Sequence, residues 1–222
     1  DELEKRIKFL ISKYKEQRKA KTEEFDNSIK WSAGLKSNLK NNVNISFDSR
    51  LITICGYRPF VKLFYYAEQN FSDRLTANHF EMFGDHLLEQ NKLISIDTSF
   101  EIVLASDRIV DFHFTGDSQC LPLYRYENGN RLDNITDYAL HAFQTQYSDA
   151  SITRQQIFAY TYAVLHHPAY RAKYALNLRQ EFPRIPYYAD FAQWVAWGDA
   201  LLKLHLEFET ADPYALQIIE TT

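Results

Sequence analysis

The chain has 222 residues, of which 45% are hydrophobic, and a formal net charge of −4. This apolar content is sufficient for a folded core, and the absence of both an 18-residue apolar stretch and a charged-then-apolar leader argues against a membrane span or a secretion signal. The net charge excludes the strongly basic type of domain that binds nucleic acid indiscriminately, although residues 1–50 hold 12 Lys and Arg against 8 Asp and Glu.

The two cysteines, Cys55 and Cys120, each lie in an apolar run. They lack the close spacing of a metal-binding knuckle, which favours buried thiols over a disulfide or a metal pair and indicates a reducing cytoplasm. The chain begins at Asp1, and its only methionine is Met82. We therefore expect a domain taken from a longer polypeptide.

Residues 1–24 have the apolar spacing of a helix, with Leu3, Ile7, Leu10, Ile11 and Tyr14 recurring every three or four residues. This segment is predicted to be either an amphipathic helix that docks on a neighbouring domain or a basic arm that lies on phosphates. A second, short helix is predicted within residues 25–42.

Residues 45–126 are predicted to form a mixed or mostly antiparallel sheet region, because short runs rich in β-branched and aromatic residues alternate with turn signals. A helix is expected within Phe80–Gln90. The predicted strands are Ile45–Phe47, Leu51–Tyr57, Phe60–Tyr66, Leu93–Ile96, Ile102–Ala105, Ile109–Phe114 and Leu123–Tyr126.

Residues 134–208 have helical periodicity and are predicted to form a C-terminal helical bundle. Thr136, Ser151 or Thr153, and Asp190 are candidate N-caps, and Pro168 begins a helix directly after His166-His167. The predicted class is therefore α+β. Residues 1–42 would form an N-terminal helical arm, residues 43–130 a strand-rich recognition part and residues 131–222 a helical part.

Most catalytic sites are absent from the sequence. The six glycines are too far apart to build a phosphate-binding loop. Asp97 and Glu101 come nearest to a nuclease motif, but Val103 occupies the place of the lysine that such a site needs. His166 and His167 point about 100° apart on a helix and lack a further ligand one turn away, which favours a capping role over a metal site.

What remains are basic residues beside aromatic and amide side chains, a combination that can contact phosphates and base edges. Each of them could equally serve the fold through an ion pair. The candidate DNA-binding residues are Arg58, Lys62, Arg74, Asn78, Gln119, Arg125, Arg171, Lys173 and Arg179.

Several blocks, taken together and in order, resemble the C-terminal specificity domain of single-chain Type ISP restriction-modification enzymes. They are Ile29-Lys-Trp-Ser-x-x-Leu-Lys36, Ile45-Ser-Phe-Asp48, Tyr57-Arg-Pro-Phe60 with Tyr65-Tyr66, Ile109-Val-Asp-Phe-His113, Leu121-Pro-Leu-Tyr-Arg-Tyr126, the stretch Tyr162–Pro186, Trp197-Gly198 and Leu204-His205-Leu206.

This resemblance implies a prokaryotic domain that recognises a short duplex DNA sequence and does no chemistry itself. Other domains of the same polypeptide would supply the nuclease, the ATP-driven motor and the adenine methyltransferase, so S-adenosylmethionine, ATP and Mg²⁺ are expected only there. The expected partners are double-stranded DNA and the methyltransferase domain, with no membrane.

Two alternatives remain open from the sequence. An interaction domain that couples the methyltransferase to the motor would have a large exposed apolar face on the N-terminal helix. A stand-alone enzyme would need clustered acids or histidines in a pocket.

Overall fold

The computed structural model describes residues 2–20, 25, 27–72, 75–213 and 215–216. Its helices and small antiparallel sheets confirm the predicted α+β class, with an N-terminal helix and a C-terminal helical region. The chain divides into two compact units that interleave along the sequence: unit 1 comprises residues 1–92, 108–111 and 124–134, and unit 2 the remainder. The predicted three-part division stays a prediction.

All strands lie before residue 134, together with three of the helices, and only helices follow within the described residues. The helices are α1 (Glu2–Ala20), α2 (Ala33–Lys40), α3 (Ala77–Phe83), α4 (Asp137–Tyr147), α5 (Arg154–His166), α6 (Pro168–Lys173), α7 (Ala175–Leu178) and α8 (Phe191–Leu206). The strands are β1 (Ile52–Arg58), β2 (Val61–Tyr66), β3 (Leu93–Ile96), β4 (Val103–Ser106), β5 (Gln119–Pro122), β6 (Tyr124–Glu127) and β7 (Asn130–Asp133).

Helix α1 is part of the core of unit 1. Its apolar side packs on residues from α2, from the segment before β1 and from β2, and the buried members of this cluster are Ile7, Ile11, Tyr14, Leu35, Ile45 and Tyr66. The Tyr14 hydroxyl also donates to the carbonyl of Val43 at 2.9 Å. The predicted continuation of the helix through residues 21–24 lies outside the described residues.

The segment Ile45–Phe47 is not a strand, although its composition predicts one. Ile45 is fully buried, yet the backbone around it bonds to side chains instead of to another strand. The Tyr66 hydroxyl donates to the carbonyl of Ser46 and accepts from the N–H of Asp48. The segment is therefore satisfied as an extended connection.

Helix α3 begins and ends earlier than the expected range Phe80–Gln90. The Thr76 N–H donates to Nδ1 of His79 at 3.1 Å, which caps the first turn. At the other end Gly84 adopts φ 72°, a left-handed conformation that stops the helix.

The strands form three separate antiparallel sheets: β1 with β2, β3 between β4 and β5, and β6 with β7. The predicted strand Ile109–Phe114 makes only an isolated bridge, from Val110 to Gly56. Gly56 lies beside the register shift in the β1–β2 hairpin, and the chain passes from unit 1 to unit 2 directly after Asp111. The register shift at Gly56 and the exit of the chain from unit 1 after Asp111 limit this pairing to the single bridge between Val110 and Gly56.

Helix α5 is the centre of unit 2 and is buried on nearly all sides. Of the two predicted N-cap candidates, Ser151 and Thr153, it is Thr153 that caps the helix, through a reciprocal bond with Gln156. Helix α8 crosses it so closely that a Cβ built on Gly198 would lie 1.9 Å from the carbonyl oxygen of Ala159. Only glycine permits this approach.

Tyrosine hydroxyls from the helices hold the segment that follows α7. The Tyr160 hydroxyl donates to the carbonyl of Pro186 and accepts from the N–H of Tyr188, both at 2.7 Å. The Tyr147 hydroxyl donates to the carbonyl of Tyr188, and that of Tyr170 to Arg184. A segment without regular structure thus has its backbone satisfied from α4, α5 and α6.

We expect Gly198→Ala to lower the free energy of unfolding of unit 2 by about 3 kcal/mol, because the helices must separate to admit the methyl group. Urea unfolding followed by tryptophan fluorescence would measure the change. The neighbouring exposed Asp199→Ala is the control and should change stability by less than about 0.5 kcal/mol. Equal midpoints for the two variants would contradict the close approach.

Candidate nucleic-acid interface

Strands β6 and β7 form an exposed two-stranded ribbon in unit 1. Its turn is Asn128-Gly129, and both residues have positive φ, 51° and 76°, as a two-residue hairpin turn requires. All four residues of β7 are exposed, whereas Tyr126 of β6 is buried and its hydroxyl donates to the carbonyl of Gln90 at 2.5 Å. The Tyr126 side chain therefore anchors the ribbon, and most of the other side chains of the ribbon face solvent.

A single buried amide, that of Asn91, fixes the start of the ribbon. Its Nδ2 donates to the carbonyls of Met82 and Tyr124 at 2.7 and 2.8 Å. Its Oδ1 accepts from the N–H groups of Lys92 and Tyr124 at 2.8 and 3.1 Å. Four bonds satisfy the whole amide and join the last turn of α3 to β6, so the ribbon has a defined origin.

The ribbon displays the side-chain types that read base edges. Arg125, a residue that the sequence singles out, is exposed on β6 opposite Leu132. Asn130 and Arg131 on β7 are also exposed, and the Arg131 guanidinium lies 4.5 Å from the centroid of the Tyr124 ring. Arginine and asparagine can each make paired hydrogen bonds to one base.

Sequence reasoning missed β7 and with it Asn130 and Arg131. The signal was present, since Asn-Gly between two short runs is a strong indicator of a tight hairpin. The composition of the strand obscured it, because Asn130-Arg131-Leu132-Asp133 contains no β-branched or aromatic residue.

Asn78 belongs to the same unit and lies on an element that touches the ribbon. It is exposed at the second residue of α3, and α3 packs against β6. The structure therefore brings the elements that carry Asn78 and Arg125 into contact. Arg74, predicted from the same connection, lies outside the described residues.

Arg58 and Lys62 lie on the β1–β2 hairpin, where Arg58 is held by its surroundings. Its Nη1 contacts Oδ1 of Asp111 and donates to the carbonyl of Tyr57, both at 2.6 Å. Its guanidinium also lies 4.1 Å from the Tyr57 ring centroid. Lys62 is half-buried opposite Gly56. Arg58 thus ties the hairpin to the 108–111 segment.

The same hairpin exposes a run of apolar side chains. Its exposed hydrophobic residues are Ile54, Tyr57, Phe60, Val61, Leu63 and Phe64, the last of these 68% exposed. Cys55 lies on the hairpin as a free thiol. Burial, followed by the nearby carboxylate of Asp111, raises the pKa of this thiol, so it stays protonated and unreactive at neutral pH.

In unit 2, Arg171 is engaged in the fold. Its Nη2 donates to the carbonyls of Phe100 and Glu101 at 3.0 and 2.7 Å. These carbonyls belong to the turn between β3 and β4, where Phe100 has φ 58°. The Asp97 carboxylate accepts from the N–H of Ile102 in the same turn, so this acid is also used structurally.

The other candidates of unit 2 are exposed. Lys173 ends α6, with its Nζ 5.2 Å from the Tyr174 ring centroid, and Arg179 directly follows α7. Gln119 begins β5 and pairs with Ile96 of β3. The structure gives these three side chains no common partner within the described residues of unit 2, and they lie on three different elements.

The two adjacent histidines have structural roles. His167 caps α6 by accepting the N–H of Tyr170 at 3.3 Å. His166 places its two ring nitrogens near the carbonyls of Tyr162 and Val103, at 2.8 and 3.1 Å, and burial lowers its pKa. Among the described residues, no group of three His, Cys, Asp or Glu side chains could hold a metal ion.

A cleft of about 400 Å³ in unit 2 is lined by aromatic and aliphatic side chains around Tyr170, Tyr174 and Leu178. Its carboxylate, Glu181, forms an ion pair with Arg184 at 3.1 Å, with both side chains largely exposed. The cleft therefore does not provide the cluster of acids or histidines that a stand-alone enzyme would need.

A sequence model of the Type ISP C-terminal specificity domain family matches residues 1–222. No curated protein matches the chain. None of the described helices is long and apolar enough to cross a membrane.

Three solved structures are similar to this chain. The cryo-EM structure of the DrdV–DNA complex is 41% identical, with a TM-score of 0.86, over 98% of this chain and 22% of that one. The ATP-dependent Type ISP restriction-modification enzyme LlaBIII bound to DNA is 25% identical, with a TM-score of 0.77, over 95% of this chain and 14% of the enzyme.

The third structure is a nuclease-deletion mutant of the Type ISP restriction-modification enzyme LlaGI in complex with a DNA substrate mimic. It is 28% identical, with a TM-score of 0.67, over 83% of this chain and 16% of that one. The chain thus spans less than a quarter of the length of each of these proteins.

We expect Arg171→Ala to destabilise unit 2 by about 1–2 kcal/mol, because the carbonyls of Phe100 and Glu101 lose a charged donor. Lys173→Ala, on the same helix but exposed, is the control and should leave stability unchanged within about 0.5 kcal/mol. Urea unfolding followed by circular dichroism would measure both changes. If Arg171→Ala were as stable as the control, Arg171 would not have the structural role that its contacts indicate.

Proposed function

Because this chain belongs to the Type ISP C-terminal specificity domain family, we propose that it recognises a specific sequence in duplex DNA for a larger restriction-modification polypeptide. The observation that carries the proposal is the family match over residues 1–222, joined to three similar structures that contain DNA. These proteins are over four times longer than the part the chain matches. Catalysis is therefore assigned to other domains.

The proposed division of labour follows from the chemistry of adenine methylation. A methyltransferase must extrude its target base from the duplex, which costs unstacking energy, and a separate domain must hold the flanking base pairs in register. This domain would hold them, and the methyltransferase domain of the same polypeptide would be its partner. S-adenosylmethionine, ATP and Mg²⁺ belong to the other domains in this proposal, and none is assigned here.

The β6–β7 ribbon is the proposed base-reading element. The major groove of B-DNA is about 12 Å wide and admits a two-stranded β-ribbon, where its side chains can reach base edges. Arg125, Asn130 and Arg131 supply donors and acceptors on such a ribbon, and Asn78 lies on the helix packed against it.

The remaining candidates are proposed to act in two ways. Arg58 and Arg171 hold hairpins and turns through short contacts, so they support the framework that presents the reading residues. Exposed Lys173 and Arg179, together with Lys62 and Arg74, are proposed phosphate contacts that set register without reading sequence. Gln119 is proposed as a further base contact.

The alternative, a coupling domain with little base readout, is not favoured. It predicts a large exposed apolar face on the N-terminal helix. In the structure the apolar residues Ile7, Ile11 and Tyr14 of α1 are at most 4% exposed, because they form the core of unit 1.

Band-shift titrations against a library of randomised duplexes test the proposal. We expect the chain to select a defined sequence, with affinity that falls steeply as salt rises. Equal binding to all duplexes, or none, would refute sequence recognition.

The ribbon can be tested with Arg125→Ala. Loss of a base contact should weaken binding to the selected sequence by about 1–3 kcal/mol, or roughly 5- to 150-fold, and relax the preference at one base pair. The control Arg184→Ala removes an arginine side chain that is 90% exposed and forms a surface ion pair with Glu181, and it should bind as wild type. An unchanged preference in Arg125→Ala would remove this residue from the set of base readers.

A further inference from the structure

Helix α1 has a strong excess of positive charge. It contains seven Lys and Arg residues against three Glu. The chain as a whole carries −4, so α1 is locally opposite in sign to the rest of the protein. Fields of this kind act locally and attract a partner of opposite charge.

The lysines of α1 form a row along one side of the helix. Lys5, Lys8, Lys15 and Lys19, with Ser12 between them, recur at alternating spacings of three and four residues, which places them on one face. No acidic residue interrupts the row. Since the helix rises about 1.5 Å per residue, the row extends over roughly 21 Å.

The acidic residues of α1 neutralise one lysine of this row, Lys8, and leave the other three unpaired by acids of the helix. Glu4 pairs with Lys8 at 2.5 Å, and Glu16 pairs with Lys13, which lies off the row, at 2.9 Å. Lys5, Lys15 and Lys19 make no hydrogen bond, ion pair or ring contact with another described residue. Three lysines of the row therefore lack a partner among the described residues, and Lys5 and Lys19 are exposed.

The orientation of the helix is fixed by its other side. Ile7, Ile11 and Tyr14 are buried against Leu35 and the rest of the unit 1 core. The apolar face is thus unavailable for insertion into a lipid surface or a hydrophobic groove, which are the usual partners of basic amphipathic helices. A partner that binds the lysine side of α1 is therefore recognised by its negative charge.

We propose that the Lys5–Lys19 row of α1 lies along the phosphate backbone of the bound duplex and supplies sequence-independent affinity. The inference rests on the proposed recognition of DNA. It accounts for a phosphate-binding surface in a chain of net negative charge whose Arg58 and Arg171 are engaged in the fold. A linear row of cations matches the linear charge of a nucleic-acid strand.

The test is a triple substitution, Lys5→Gln, Lys15→Gln and Lys19→Gln, in the 222-residue chain. We expect the slope of log affinity against log salt to fall by about 3, close to one unit per lysine, and affinity near 0.1 M salt to fall on the order of 100-fold. The loss should be the same for the selected and a scrambled duplex, so the ratio between them is unchanged. Circular dichroism melting would confirm that the variant is folded.

The matched control is Lys40→Gln, Lys92→Gln and Lys203→Gln, three exposed lysines elsewhere whose removal changes the net charge equally. It should keep the wild-type salt slope. If the α1 variant also keeps that slope while the wild type selects its sequence, the inference is overturned and DNA recognition stands. If the α1 variant loses the preference between duplexes, the row reads bases and the inference is likewise overturned. If the wild type binds no duplex, the proposed function and the inference fall together.

Discussion

The close approach of α8 to α5 at Gly198 is the constraint on which unit 2 depends. Because no side chain separates the helices there, α5 is enclosed, and its tyrosines are fixed in the positions from which they bond to the 184–188 segment. That segment has no strand or helix partner of its own. Its path is determined by hydroxyl groups, whose positions depend in turn on the packing of the two helices.

Unit 1 follows a different principle, in which polar side chains take the place of missing backbone partners. The Tyr66 hydroxyl serves the extended segment before β1, and the Asn91 amide serves the end of α3 and the start of β6. The Arg58 guanidinium likewise donates to the carbonyl of Tyr57 and contacts the carboxylate of Asp111. The guanidinium of Arg58 is therefore occupied by the framework, whereas Arg125 on the ribbon and Lys5 and Lys19 on α1 are exposed.

Several helix starts could be predicted because their signals are local: Thr136 and Asp190 cap as predicted, and Pro168 begins α6. Of the two candidate caps Ser151 and Thr153, the structure uses Thr153. The segments Ile45–Phe47 and Ile109–Phe114 could not be predicted, since an extended backbone is a strand only if another strand bonds to it. The ion pair of Arg58 could not be predicted from the sequence either, because its partner Asp111 lies 53 residues away. Arg125 was singled out from the sequence by its aromatic neighbours, and the structure places it on the exposed ribbon.

The anchoring of the ribbon has a consequence for how such a domain can change. Its register is set by the Asn128-Gly129 turn and by Asn91, and the side chain of Arg125 takes part in neither. Arg125 can therefore be exchanged with little effect on folding, whereas Asn130 bonds to the carbonyl of Asn128 in the turn and Arg131 lies over the Tyr124 ring. Under the proposed function, a new target sequence would be acquired by altering the exposed Arg125 while the fold of the ribbon is kept.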